Sequence, residues 1–186
     1  MINDKIDIEK SKVKNRLVTK TWMIEQILNF IFYAVLIVSF PFSSGLFLFA
    51  QFKNGGNLFY VTILLIVTLL FSGLLLYSVL NLNKLRKIQG VSKEQNIEFT
   101  LEVVEQLGWK ILTHDQQLII ANPSGRWFSS NCNRQIVLLY DNQDVLINIT
   151  YYGLHDFKLP FHWFGNRNLE RQLIEEFEQK IKTTSP

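Results

Sequence analysis

Residues 27–52 and 58–82 contain no charged side chain, and no other feature of the chain constrains its fold as tightly. With a rise of about 1.5 Å per residue, a helix made from either run reaches across a hydrocarbon core about 30 Å thick. The two runs are therefore expected to span a bilayer. The loop between them, Lys53-Asn54-Gly55-Gly56-Asn57, is short and rich in turn formers. That predicts an antiparallel hairpin with almost nothing exposed at its tip, and no room there for an external ligand site.

The basic residues are unevenly placed around these runs. Lys5, Lys10, Lys12, Lys14, Arg16 and Lys20 precede the first, Lys84, Arg86, Lys87 and Lys93 follow the second, and the loop carries only Lys53. Because Lys and Arg are retained on the cytoplasmic side, both termini are expected there. The first apolar run also far exceeds the roughly 7 to 15 residues of a cleaved signal peptide. The chain then divides into a basic cytoplasmic leader (1–21), a two-span transmembrane hairpin (22–83) and a cytoplasmic domain (88–186). The leader is expected to be solvated, with a weak helical spacing of Ile6, Val13 and Leu17 that suits a lipid surface. Trp22 falls at headgroup level, and Glu25 lies just inside it.

Within the first span, Pro41 removes a backbone donor among Ser39, Ser43, Ser44 and Gly45, so a membrane kink or local break is expected there. Neither span carries a charge at mid-membrane, which argues against a proton pump, an ion-coupled transporter or a voltage sensor. A pore built by several copies from hydroxyls or apolar rings is compatible with the sequence. The single cysteine, Cys132, excludes an intrachain disulfide. A formal charge of only +3 gives no reason to expect direct nucleic-acid binding.

The cytoplasmic part reads as helix, strands, helix. Ser92 and Gln95 form a capping box, Ile97, Leu101, Val104 and Leu107 recur at helical spacing, and Gly108 suits the C-terminal cap. Strands are predicted over 109–113 and 117–122, briefly over 126–128, and then over 135–140 and 144–152 as the clearest hairpin. In the last of these Val145, Ile147, Ile149 and Tyr151 share one face. Phe157, Leu159, Phe161 and Trp163 alternate in a further strand that Pro160 confines to an edge. A final helix over about 167–182 turns Leu169, Leu173, Phe177 and Ile181 inward. The expected fold is a two-layer α+β domain, with four to five mainly antiparallel strands between two helices, and a fragment starting near Gly90 is expected to fold alone.

No phosphate-cradling glycine loop, HExxH, nucleophile elbow or paired-cysteine motif is present, so no enzyme class is indicated and no cofactor is expected. His114, His155, His162 and Cys132 lack metal-ligand spacing. Asp115, Asp141, Asp144 and Asp156 fall at predicted turns, where a short carboxylate accepts backbone hydrogen bonds. The group with binding chemistry is Arg126, Trp127, Asn131 and Arg134, joined by Trp163, Asn166 and Arg167 near the start of the last helix. Guanidinium forks and stacking rings suit a small anionic or nucleotide ligand.

The stretch from Val145-Leu146-Ile147-Asn148 through Phe164-Gly165-Asn166-Arg167-Asn168 into the last helix resembles small bacterial two-span membrane proteins that end in an antiparallel sheet and a helix. That resemblance implies a bacterial inner-membrane location and the α+β fold. The overall plan also looks like membrane effectors of bacterial antiphage systems, whose cytoplasmic domain binds a nucleotide signal. The expected function is that of a non-enzymatic inner-membrane protein whose cytoplasmic domain binds a protein partner, a second copy or a small ligand. The alternative is an oligomeric membrane-disrupting effector gated by a nucleotide-like ligand.

Overall fold

The computed structural model describes residues 6–20, 23–123, 133–152, 158–160 and 163–184. Its elements are α1 (Ile8–Lys14), α2 (Met23–Lys53), α3 (Leu58–Asn81), β1 (Arg86–Gln89), α4 (Lys93–Gln106), β2 (Lys110–His114), β3 (Leu118–Asn122), β4 (Asn133–Asp141), β5 (Asp144–Tyr152) and α5 (Trp163–Thr184). They form two compact units, one of Thr21–Asn81 and one that combines Met1–Lys20 with Leu82–Pro186.

In the first unit α2 and α3 pack as a helical pair, and both are long and apolar enough to cross a membrane. Phe30, Phe49 and Leu70 are each about two-thirds exposed or more, so apolar surface continues around the pair instead of closing into a core. Pro41 lies inside α2, which is helical on both sides of it. Proline deletes one ladder bond, and the bonds on either side carry the helix past it. The contact between the helices is partly polar. The Ser44 hydroxyl lies 2.8 Å from that of Thr68 and donates within reach of the Phe40 and Pro41 carbonyls, each at 3.1 Å. Phe40 and Phe71 meet edge to face beside it at 5.4 Å.

The second unit is built on a five-stranded sheet in the order β1-β5-β4-β3-β2, antiparallel throughout. Side chains alternate across it. Ile119, Ala121, Ile136, Leu138, Tyr140, Val145 and Ile147 face α4 and α5, where Phe99, Val103, Val104, Leu173 and Phe177 complete one core with Trp109. Ser92 caps α4 as its sequence predicts, its hydroxyl accepting from the Gln95 amide and donating to the Gln95 side-chain oxygen at 3.2 Å.

The opposite face is also covered, which corrects the two-layer expectation. Leu118, Ile120, Val137, Leu139 and Leu146 pack with Leu85 against Ile6, Ile8 and Leu17. Residues 6–20 are thus a layer of the domain and not a solvated leader: Leu17 is 4% exposed, and the buried Ser11 hydroxyl accepts from the Val18 amide at 2.8 Å. β1 was missed because Arg86-Lys87-Ile88-Gln89 reads as a basic linker. Its pairing with β5 supplies the backbone bonds, and Ile88 alone enters the core. At the other end, Trp163 begins α5 instead of closing a strand, and Lys158 makes a single bridge to Tyr152. The short strand expected over 126–128 lies outside the described residues.

One polar knot fixes the turn between β1 and α4. The fully buried Asn96 accepts from the Val91 amide at 2.9 Å and donates to the Gln143 carbonyl at 3.1 Å, while the Gly90 amide donates to the same carbonyl at 2.8 Å. A Cβ on Gly90 would lie 2.2 Å from the Asn96 side-chain oxygen.

Candidate functional site: a polar corner at one end of the sheet

The tight turn at Asn142-Gln143, with Asn142 at a φ of 55°, sets the register of the β4–β5 hairpin. Asn142 accepts this left-handed backbone more readily than most residues do. Counting back from that turn places Arg134 directly opposite Tyr151. Both side chains lie on the face that carries Ile136 and Ile149, towards α5. The guanidinium carbon of Arg134 stands 4.9 Å from the centre of the Tyr151 ring, within cation–π range.

The corner contains two unsatisfied groups. The Arg134 Nε–H is buried and has no acceptor among the described residues. Asn166, in the first turn of α5, donates its amide to the Ile149 carbonyl at 3.1 Å, yet its own side-chain oxygen is buried without a donor among the described residues. A buried donor or acceptor left unmade costs about 1 to 3 kcal/mol, so a charged donor beside an aromatic face is suited to a polar ligand that supplies the missing partner. The nearby first turn of α5 adds backbone N–H groups without helical acceptors.

Of the residues singled out by sequence, Arg134 lies against the Tyr151 ring, and Asn166 donates to the Ile149 carbonyl on the same strand. Arg167 is exposed one position further along α5, where its charge acts on Glu170 together with that of Arg86, 3.5 Å from the Glu170 carboxylate. Burial raises the Glu170 carboxyl above the usual range against the pull of those two cations. Trp163 is the first residue of α5, and its side chain lies outside the description. Arg126, Trp127 and Asn131 also fall outside the described residues.

The sequence places Tyr151 on one face of its strand with Val145, Ile147 and Ile149; its pairing with Arg134 is recoverable once the two-residue turn is fixed. No such signal announced Lys158. Its ammonium contacts the Asn83 side-chain oxygen and lies 6.0 Å from the Tyr152 ring, and burial pushes it down to about 8. Asn148 is 4% exposed and donates to the Leu82 and Lys84 carbonyls at 3.0 Å each. These contacts tie the segment after α3 to the sheet.

A further cavity, about 350 Å³ and open on one side, lies between α2 and α3 and is lined by Ser39, Phe40, Ser43, Ser44, Leu64 and Thr68 among others. Among the described residues no three His, Cys, Asp or Glu side chains gather as a metal-binding group. No protein-family model matches this chain, and no curated protein matches it.

Proposed function

We propose that this chain is a membrane-anchored, non-enzymatic binding protein. α2 and α3 cross a bacterial inner membrane with both termini in the cytoplasm, and the domain takes a small anionic ligand at the corner formed by Arg134, Tyr151 and Asn166. The observation that carries the reading is the buried Arg134 Nε–H, without an acceptor among the described residues, beside the face of the Tyr151 ring. A fork of N–H groups suits phosphate or carboxylate, and a stacked ring suits a nucleobase.

The test uses full-length protein in detergent, titrated with inorganic phosphate, nucleoside monophosphates and cyclic dinucleotides and followed by calorimetry. One of these probes is expected to bind. Arg134→Ala should lose about ten- to a hundredfold in affinity, the range of a charge-assisted hydrogen bond, and Arg134→Lys should recover little of it because the fork is lost. Equal affinity in folded Arg134→Ala protein removes the site.

One observation favours the oligomeric effector as a second reading. The open, hydroxyl-lined cavity between α2 and α3 places polar groups on apolar helices, as a pore assembled from several copies would require. Dye release from vesicles that depends on Ser43 and Ser44 would support that reading, and tight vesicles at high protein density would dismiss it.

A further inference from the structure

The two edges of the sheet differ in chemistry. β1 carries the exposed cations Arg86 and Lys87, and both are matched: Arg86 lies 3.5 Å from the Glu170 carboxylate and Lys87 2.6 Å from that of Asp144. Charged side chains on an edge strand discourage further pairing. β2 is the other edge, with no strand on its outer side among the described residues. Its Ile111 and Leu112 are 39% and 50% exposed. Outside α2 and α3, Val13 is the one other large hydrophobic side chain that is exposed among the described residues.

Pairing with β3 sets where these side chains point. Lys110 stands opposite Asn122 and Ile111 opposite Ala121, so the two lie on opposite faces of the sheet, Ile111 on the face that carries the helices. The register shifts between Ile111 and Thr113, which makes Leu112 the extra residue of a bulge, and a bulge re-aims a side chain out of the ladder. The Lys110 and His114 side chains are exposed and meet no carboxylate among the described residues. The acid beside them, Asp115, is spent on the turn, where it accepts from the Gln117 and Leu118 amides at 2.8 Å each. The edge thus combines an open backbone, two aliphatic side chains and basic groups without a counter-charge.

That charge pattern selects the strand able to complete the edge. Antiparallel pairing of two β2 strands about Leu112 sets Lys110 of each copy against His114 of the other, and pairing with β1 of another copy brings Arg86 and Lys87 up to Lys110. Like charges opposite one another are destabilising in a ladder, so a second copy is the wrong occupant. We propose that β2 receives an extended acidic and apolar segment of a partner protein as a sixth strand, with a carboxylate opposite Lys110 and a β-branched side chain opposite Ile111. Backbone hydrogen bonds to the edge supply the affinity, and the alternation of acid and aliphatic side chains supplies the selectivity.

Full-length protein in detergent, titrated into three fluorescein-labelled hexapeptides and followed by anisotropy, tests this. The first alternates glutamate and valine, the second has lysine in place of glutamate, and the third is the acidic peptide with its backbone amides N-methylated. The acidic peptide is expected to bind, the lysine peptide to bind more weakly, and the N-methylated peptide, which has no strand donors, to stay free. Lys110→Gln should lower the affinity for the acidic peptide about two- to fivefold, the range of one exposed ion pair, and Lys110→Glu should reverse the preference between the two charged peptides. Lys14→Gln, which changes the net charge equally but on α1, should leave the affinity unaltered. Failure of the acidic peptide to bind, equal binding of the N-methylated peptide, or an equal response to Lys14→Gln overturns the docking edge. A dimer in light scattering that Ile111→Lys dissolves also overturns it, because a second copy then occupies β2.

Discussion

At the scale of single residues, the knot at Gly90 shows how a backbone position can be dictated by a side chain six residues away. Asn96 is held from both ends, by the Val91 amide and the Gln143 carbonyl, so it cannot withdraw from a methyl group placed on Gly90. Gly90→Ala should therefore cost about 1 to 3 kcal/mol, as overpacking does, in denaturant unfolding of the purified protein. Combined with Asn96→Ala the loss should be less than the sum of the two, since the clashing oxygen is gone. Strict additivity would show that the turn relaxes instead. Lys158 gives a second residue-scale prediction. Its folded-state ammonium, near 8, lies below the ordinary 10.5, so folding above pH 8 releases a proton that the unfolded chain keeps. Stability should rise as pH goes from about 8 towards 10.5, a slope that Lys158→Met should abolish. A flat profile in the parent protein would place the amine in water.

At the scale of elements, legibility in the sequence followed the strength of local patterning. The hairpin of β4 and β5, the capped α4 and the amphipathic α5 each carry their own signal, in alternation, a capping box or a helical stripe. α1 and β1 carry almost none. Ile6, Ile8 and Leu17 are too sparse for a stripe, and Ile88 is the one core side chain in a strand of charged and polar neighbours. Such segments are ordered by the surface waiting for them, not by their own propensity. The candidate site was half legible for the same reason: Arg134 and Asn166 stood out by chemistry, while Tyr151 needed a register that only the turn supplies. The back-face layer is testable in isolation. Leu17→Ala should destabilise the domain by about 2 to 5 kcal/mol, as loss of a buried leucine does, whereas Val13→Ala, at an exposed position, should change the unfolding midpoint little.

For the whole molecule, the fragment expected from the sequence to fold alone starts near Gly90, and it lacks both β1 and the layer of residues 6–20. Leu118, Ile120, Val137, Leu139 and Leu146 would then face water on one side. A fragment of residues 90–186 should aggregate or unfold non-cooperatively, whereas residues 82–186 preceded by residues 1–20 through a flexible linker should give one sharp transition. A cooperative transition from the shorter fragment would mean that the back layer contributes little. Membrane orientation is a separate matter, resting on the Lys and Arg asymmetry. A cysteine at Gly55 should react with an impermeant thiol reagent applied to intact cells, and one beyond Thr184 should not; the reverse pattern would invert the topology.

The pairing of Met1–Lys20 with Leu82–Pro186 in one unit also orders events in time. The ribosome delivers Ile6 and Leu17 first and the strands that shelter them last, with both apolar helices made in between. A nascent chain stalled before β4 thus has its opening segment without a home, open to chaperones or to the lipid surface. The globule therefore closes across the two apolar helices made between its parts, and only once β4 and β5 exist to receive residues 6–20.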